Sequence, residues 1–180
     1  MNITRIMHGK TIVFRHAVVS DAQAIVDYIH IVAAETDNLS FGADAVPITL
    51  ESEITYLKAM ENAHSSAHFV AVCDQEIIAT SNLSTKERPR LAHVASLGIS
   101  VRKDYWRMGV GFELMEMMIT WAKATGIIRK INLTVRSDND GAIALYKKCG
   151  FEYVGTLHDE LRIDVESVDL DAMELLFHAE

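Results

Sequence analysis

Proline and cysteine are scarce in this sequence, which holds only two of each in 180 residues. Cys73 and Cys149 lie far apart and have no partner at a spacing typical of metal ligands, so we expect both to behave as small apolar residues. Pro47 and Pro89 offer few breaks that could mark a domain boundary, and no repeat or low-complexity linker is visible. We therefore expect a single domain over residues 1–180.

Positive charge is also in short supply. The chain has 17 Lys and Arg against 25 Asp and Glu, and its formal net charge of -8 argues against nucleic acid or an anionic membrane as a partner. No apolar run approaches the length of a membrane span, and the first ten residues are too polar for a signal peptide. We expect a cytoplasmic protein. No metal site is predicted, because no shared ligand spacing relates the histidines at 64, 68, 158 and 178.

The hydrophobic pattern predicts a mixed α/β fold, with a sheet of about seven strands flanked by four helices. Helices are predicted over residues 20–35, 49–63, about 110–126 and 141–150. Strands are predicted over residues 11–18, 68–74, 76–84, 91–101, 130–135, 151–158 and 167–177. Ser20 or Asp21 is expected to cap the first helix, Thr49 opens the second, and Asp74-Gln75 forms the corner of a hairpin.

The segment "YWRMGVG" (105–111) joins a predicted strand to a predicted helix. Gly109 and Gly111 would let an anion approach the free N–H groups at the helix start, and Arg107 adds positive charge. The Walker and Rossmann phosphate motifs are excluded, because no Gly-Lys-Ser/Thr is present and Leu114 stands where a third glycine is required. By itself the segment fits an ordinary helix-start turn equally well.

This segment and two features after it stand in a characteristic order. They are the spacing Trp106-x-x-Gly109-x-Gly111, Asn139 ahead of a helix, and "AIALYKKCGF" over residues 142–151. Together they resemble the GNAT (Gcn5-related N-acetyltransferase) superfamily, which binds acetyl-CoA and carries [Q/R]-x-x-G-x-[G/A] at the first of these positions. Trp106 departs from that pattern, and some branches of the family accept it. The chain is most similar to a bacterial branch of mostly unassigned substrate, through "HVASLGISV" (93–101) and "ETD" (35–37).

The resemblance implies an acetyl-CoA-dependent N-acetyltransferase that passes acetyl directly to a primary amine in a ternary complex. It implies that the backbone of Ile99 and Val101 binds the pantetheine arm in a gap between strands 91–101 and 130–135, with Asn139 on the other side. It also implies a set of pyrophosphate-binding residues, namely Arg107, Met108, Gly109, Val110 and Gly111.

Catalysis would need a proton donor for the leaving thiolate and a base for the amine. Tyr146 is the candidate donor, with a core-edge tyrosine as the alternative. His93 is the candidate base because an imidazole suits proton transfer near neutral pH, and the alternative is a histidine hydrogen-bonded at a strand end. Relatives often have Glu where this chain has Ser96, so the base is His93, Glu35 or water.

Glu35 and Phe41 lie in the loop where this fold usually admits the acceptor, and a carboxylate there could hold a cationic amine. A solvated loop is the alternative. The acceptor is a small-molecule amine or a protein amine, at an N-terminus or a lysine. A non-catalytic acetyl-CoA-binding sensor is the other functional alternative, and a homodimer through the last strand is possible.

Overall fold

The strands and helices alternate much as the sequence predicts, in a computed structural model that describes residues 2–86 and 88–177. His178 lies outside the described residues. The helices are α1 (Ala22–Glu35), α2 (Leu50–Glu61), α3 (Val110–Ala124) and α4 (Asp140–Lys148). The strands are β1 (Asn2–Met7), β2 (Lys10–His16), β3 (Ala67–Cys73), β4 (Glu76–Thr85), β5 (Val94–Val101), β6 (Lys130–Arg136), β7 (Glu152–Ile163) and β8 (Glu166–Leu176).

All eight strands form one sheet in the order β1-β2-β3-β4-β5-β6-β8-β7. The mixed α/β fold is confirmed, but the sheet has eight strands where about seven were predicted. The strand missed is β1, which pairs with β2 through a two-residue turn at His8 and Gly9, both with positive φ. Its sequence "NITRIM" is too polar to show the alternation of a half-buried strand, so the pattern gave little signal.

The two faces of the sheet carry different helices. The larger buried cluster contains residues of α3 and α4, including Leu114, Met118 and Tyr146. The smaller cluster joins α1 and α2, through Ile25 and Leu57 among others, to the opposite face of the sheet. Each helix therefore buries its apolar stripe against the sheet, as amphipathic helices of a layered fold do.

The pairing of β5 with β6 is the one parallel contact of the described sheet, because α3 connects these strands as a crossover. Every other neighbouring pair is antiparallel. The β3–β4 hairpin turns at Asp74 and Gln75 with φ of 50° and 68°, which confirms the predicted corner.

The prediction that a side chain at residue 20 or 21 caps the first helix is wrong for Asp21, which stands at the cap position but makes no capping hydrogen bond to that helix. The carboxylate instead accepts two hydrogen bonds from Arg15, at 2.6 and 2.9 Å, and one from the Val18 N–H at 2.9 Å. A charged partner on β2 thus outcompetes the free N–H groups at the start of α1.

Candidate active site

Strands β5 and β6 separate along their length. They pair only from Val94 opposite Lys130 to Ser96 opposite Asn132. Beyond that point β5 continues along β4 to Val101, and β6 continues along β8 to Arg136. The gap that the family resemblance implied is therefore present, and it opens toward the carboxyl ends of both strands.

The backbone of β5 faces this gap at alternate residues. The Arg102 N–H donates to the Ile78 carbonyl on β4 at 2.9 Å. Because backbone groups alternate in direction along a strand, those of Ile99 and Val101 point away from β4 and into the gap. Trp106 already uses one of them, since its indole N–H donates to the Val101 carbonyl at 2.7 Å. The ring thus lies against the end of β5 and is 43% exposed.

The connection from β5 to α3 presents free backbone donors. Arg107 and Gly109 have positive φ values of 59° and 88°, and Gly109 is the residue that caps α3. The first hydrogen bond of the helix runs from the Glu113 N–H to the Gly109 carbonyl at 3.1 Å. The N–H groups of residues 110–112 consequently have no partner within the helix, and no side chain caps them. These donors and the helix dipole favour an anion.

Three elements converge at Gly111. A Cβ there would stand 3.1 Å from Leu145 Cδ2 on α4 and 3.7 Å from Val101 Cγ2 on β5. The missed strand β1 supports the same loop, because Met7 Cε lies 4.0 Å from the position of a Cβ on Gly109. Arg5 of β1 also forms an ion pair of 3.1 Å with Glu113. Sequence reasoning found the glycines but not the strand that packs beneath them.

Helix α4 begins beside the end of β6. Asn139 caps it, with its side-chain oxygen accepting from the Ala142 N–H at 3.1 Å. The amide NH₂ of Asn139 is left free to donate elsewhere. Tyr146 lies in the last turn of α4, which ends at Lys148, and is 7% exposed, with its ring 5.9 Å from that of Phe151. Burial, together with the nearby Cys149, raises the pKa of Tyr146 to about 12.

Neither cysteine is placed to act as an exposed nucleophile. Burial raises the pKa of the half-buried Cys149 thiol to about 11, and Glu116 adds to the effect. Cys73 is buried in the larger core cluster. A thiol with so high a pKa is a poor nucleophile at neutral pH.

The segment from Glu35 to Asp37 bridges the open end of the gap. On the β5 side, Glu35 Oε2 accepts a hydrogen bond of 2.7 Å from the Lys103 N–H, and its Oε1 lies 3.6 Å from Arg102 Nε. On the β6 side, Arg136 donates to the Asp37 carbonyl at 3.2 Å. The Glu35 carboxylate is thus engaged within the chain, whereas the sequence suggested a free carboxylate for the amine. Its role in binding the amine stays a prediction.

This bridge predicts an effect on stability. Glu35→Ala removes a charged acceptor from the Lys103 N–H and leaves half-buried Arg102 with one acidic partner. We expect the free energy of unfolding to fall by about 1–2 kcal/mol in chemical denaturation. Glu76→Ala is the matched control, because Glu76 also pairs with Arg102, at 3.5 Å, but its side chain is 70% exposed. The free energy of unfolding of that variant should change little. Equal losses in both variants would contradict the stabilising role of Glu35.

The structure does not bring His93 to this site. The prediction that His93 lies within the strand is wrong, because β5 begins at Val94 and His93 sits in the exposed turn before it. His93 is six residues from Ile99, about 20 Å along the strand, at the end where β5 and β6 are still paired. Phe41 is half-buried in the loop between α1 and α2. The catalytic role of His93 and the substrate role of Phe41 stay predictions.

Within residues 2–86 and 88–177 no group of three or more His, Cys, Asp or Glu side chains is placed to hold a metal ion. None of the helices described is long and apolar enough to cross a membrane.

Known proteins are similar to this chain in sequence and in fold. The sequence profile of the acetyltransferase (GNAT) family matches residues 34–151. The chain belongs to this acetyltransferase family. The L-amino acid N-acetyltransferase AaaT of Escherichia coli strain K12 is 32% identical over 81% of this chain and 85% of its own length. The chain is accordingly an N-acetyltransferase of the GNAT family.

Solved structures of the GNAT family agree with the fold. A GNAT acetyltransferase from Streptococcus pneumoniae superimposes with a TM-score of 0.90, is 30% identical, and covers 93% of this chain and 99% of its own. A phosphinothricin acetyltransferase of the GNAT superfamily from Sinorhizobium meliloti, solved in complex with acetyl-CoA, superimposes with a TM-score of 0.79 at 16% identity. It covers 91% of this chain and 86% of its own. At this identity, the similarity to the Sinorhizobium meliloti enzyme shows the fold alone.

Proposed function

We propose that this GNAT protein is an acetyl-CoA-dependent N-acetyltransferase that passes the acetyl group directly to a primary amine in a ternary complex. The observation that carries the proposal is the gap between β5 and β6, which ends at the uncapped N–H groups of α3. A pantetheine arm needs backbone partners such as an added strand finds, and a pyrophosphate needs clustered donors without a side chain in the way. The gap and the glycine loop offer both.

The residues present therefore fit acetyl-CoA, which when bound supplies the acetyl thioester. Ile99 and Val101 would bind the arm through their backbone, and Asn139 would donate its amide from the other side of the gap. Arg107, Met108, Gly109, Val110 and Gly111 would hold the pyrophosphate, the last three through N–H groups at or beside the helix start. Because the Val101 carbonyl is occupied by Trp106, we expect Val101 to contribute its N–H only.

Tyr146 would act on the leaving sulfur. Its pKa of about 12 keeps the hydroxyl protonated across the neutral range. An ordinary thiol has a pKa of about 8.5, so the phenol is the weaker acid. We therefore expect Tyr146 to orient and stabilise the sulfur by donating a hydrogen bond, with solvent completing its protonation. The raised pKa of Cys149 supports direct transfer, since that thiol would make a poor acyl carrier.

The proposal is tested by binding and turnover with the intact chain. Calorimetry is expected to show acetyl-CoA binding, and an assay for free CoA thiol is expected to show turnover with at least one member of a panel of primary amines. L-amino acids head the panel because of the Escherichia coli relative, and peptides with a free N-terminus or a lysine follow. Mass spectrometry should find one acetyl group on the amine. Binding without turnover across the panel would instead favour the sensor.

A further inference from the structure

A polar row crosses the sheet on the face that carries α1 and α2. His68 of β3 is in register with Asn82 of β4, which is in register with Gly98 of β5. The side chains of His68 and Asn82 share the face of Val70, which packs with the α1–α2 cluster. A Cβ on Gly98 would stand only 2.6 Å from Asn82 Oδ1, so the missing side chain is what lets the Asn82 amide lie over β5.

The row starts from a buried acid. Glu53 of α2 and His68 are 4% and 8% exposed. Glu53 Oε1 lies 3.7 Å from His68 Nδ1, which is too long for a hydrogen bond, and neither atom has any other partner in the described chain. Buried polar atoms are nearly always paired, so water or a ligand group is expected to complete these two.

Tyr56 connects the buried acid to the row. Its ring meets that of His68 edge-on, with centroids 5.6 Å apart, and its hydroxyl lies near the side chains of Asn82 and Ser84. That hydroxyl is also buried without a well-formed hydrogen bond. Glu53, His68 and Tyr56 are thus neighbours, and each has one buried polar atom without a partner among the described residues.

The other end of the row is the candidate active site. Gly98 directly precedes Ile99, whose backbone faces the gap between β5 and β6. Adjacent strands lie about 4.8 Å apart, so His68 and Gly98 are separated by about 10 Å, a distance that a short chain of waters spans. The amine would meet the thioester from this face, because α3 and α4 cover the opposite one.

The charges around Glu53 favour proton uptake. Burial raises the pKa of Glu53 above its ordinary value. Burial also lowers the pKa of His68 to about 4, so His68 is neutral at pH 7 and supplies no positive charge to Glu53. The other charged groups facing this region are Asp21, whose charge acts on His68 from the start of α1, and its ion-pair partner Arg15. A carboxylate with a pKa moved toward neutral and no cationic partner is a better base than an exposed one.

We propose that Glu53 is the general base for the acceptor amine and acts through water held by Tyr56 and Asn82. In this step one N–H bond of the ammonium breaks, the electron pair stays on nitrogen, and the proton forms an O–H bond on Glu53. The neutral amine then attacks the thioester carbonyl, so that a C–N bond forms and the C–S bond breaks. The nitrogen gives its second proton to solvent, the CoA thiolate takes a proton from solvent beside Tyr146, and Glu53 returns its own proton to solvent. The role rests on the proposed function, and it supplies the base that the sequence left among His93, Glu35 and water.

The test compares Glu53→Gln with Glu61→Gln, which changes an exposed glutamate on the same helix. We expect Glu53→Gln to lower kcat/KM for the amine at pH 7 by at least about tenfold. Acetyl-CoA affinity should stay within about twofold by calorimetry. In wild type, kcat/KM should depend on pH through both Glu53 and the amine, whereas the variant should keep only the amine's dependence. Glu61→Gln should match wild type in every measurement.

A structural role alone predicts a different outcome. A neutral amide costs less to bury than a carboxylate, so Glu53→Gln is expected to melt no lower than wild type while losing activity. If Glu53→Gln does not fold, Tyr56→Phe and Asn82→Ala must each lower kcat/KM without changing acetyl-CoA affinity. If wild type is active and Glu53→Gln keeps the wild-type pH profile, Glu53 is not the base. Full activity in both Tyr56→Phe and Asn82→Ala has the same consequence. Either result overturns the role of Glu53 and leaves the proposed function in place. A wild type that binds acetyl-CoA but acetylates no amine overturns the proposed function, and this inference with it.

Discussion

Gly109→Glu is expected to abolish acetyl-CoA binding, with affinity lower by at least about a hundredfold, or about 3 kcal/mol. Gly109 lies at the start of α3 with φ of 88°, beside the three N–H groups that have no partner within the helix. A glutamate there would place a carboxylate among the donors that we propose bind the pyrophosphate. At an effective dielectric constant of about 20, two negative charges about 5 Å apart repel by about 3 kcal/mol.

Backbone strain adds to this loss and must be separated from it. A non-glycine residue at a left-handed position costs about 1–2 kcal/mol of stability. Gly126 follows the other end of α3 with φ of 65° and has no atom within 4 Å of an added Cβ. Gly126→Glu should therefore show similar strain while keeping acetyl-CoA affinity.

Calorimetric titration of both variants, with thermal melting alongside, makes the comparison. Equal affinity for acetyl-CoA in Gly109→Glu and wild type would remove the loop from the binding site. Equal loss in both glycine variants would show that strain, and not the charge, is responsible.

Tyr146→Phe is expected to lower kcat by about 10- to 100-fold and to leave acetyl-CoA affinity nearly unchanged. A hydrogen bond made mainly to developing charge on sulfur stabilises the transition state more than the bound substrate, which is why turnover falls and affinity does not. Phenylalanine keeps the ring that packs against Phe151. The hydroxyl has no well-defined hydrogen-bond partner among the described residues, so the folded state should lose little by its removal.

The pH dependence distinguishes this role further. With a pKa of about 12, the Tyr146 hydroxyl remains a donor at every pH from 6 to 9. The ratio of wild-type to variant kcat should therefore be constant over that range. Tyr153→Phe removes the hydroxyl of an exposed tyrosine on β7 and is the matched control. Unchanged turnover in Tyr146→Phe would return this tyrosine to a core-edge packing role.

Local patterns predicted several elements well, because their causes lie within a few residues. Thr49 was expected to open the second helix, and it does so in a reciprocal cap with Ser52, whose N–H donates to Thr49 Oγ1 at 3.2 Å. The Asp74-Gln75 corner is likewise a two-residue turn between adjacent strands. Where a competing partner comes from elsewhere in the chain, as Arg15 does for Asp21, the local pattern misleads.

The residues of the candidate site divide in the same way. The glycine loop, Asn139 and Tyr146 stand at a characteristic spacing and could be predicted by resemblance. The engagement of Glu35 could not, because its partner Lys103 is 68 residues away. The contact of the Trp106 indole with the Val101 carbonyl could not be predicted either. The position of the ring depends on which backbone carbonyl faces it, and this is known only once the loop is folded.

By itself the sequence determined the order of the four helices and of strands β2 to β8, the glycine pattern before α3 and the family to which the chain is similar. These depend on hydrophobic period, glycine placement and motif spacing, all of which are local. Only the tertiary structure decided where β5 and β6 separate and that His68, Asn82 and Gly98 form one row. It also decided that the Glu35 carboxylate is hydrogen-bonded, whereas Glu53 Oε1 has no partner among the described residues. Those facts depend on strand register and burial, which arise when residues distant in sequence are packed together.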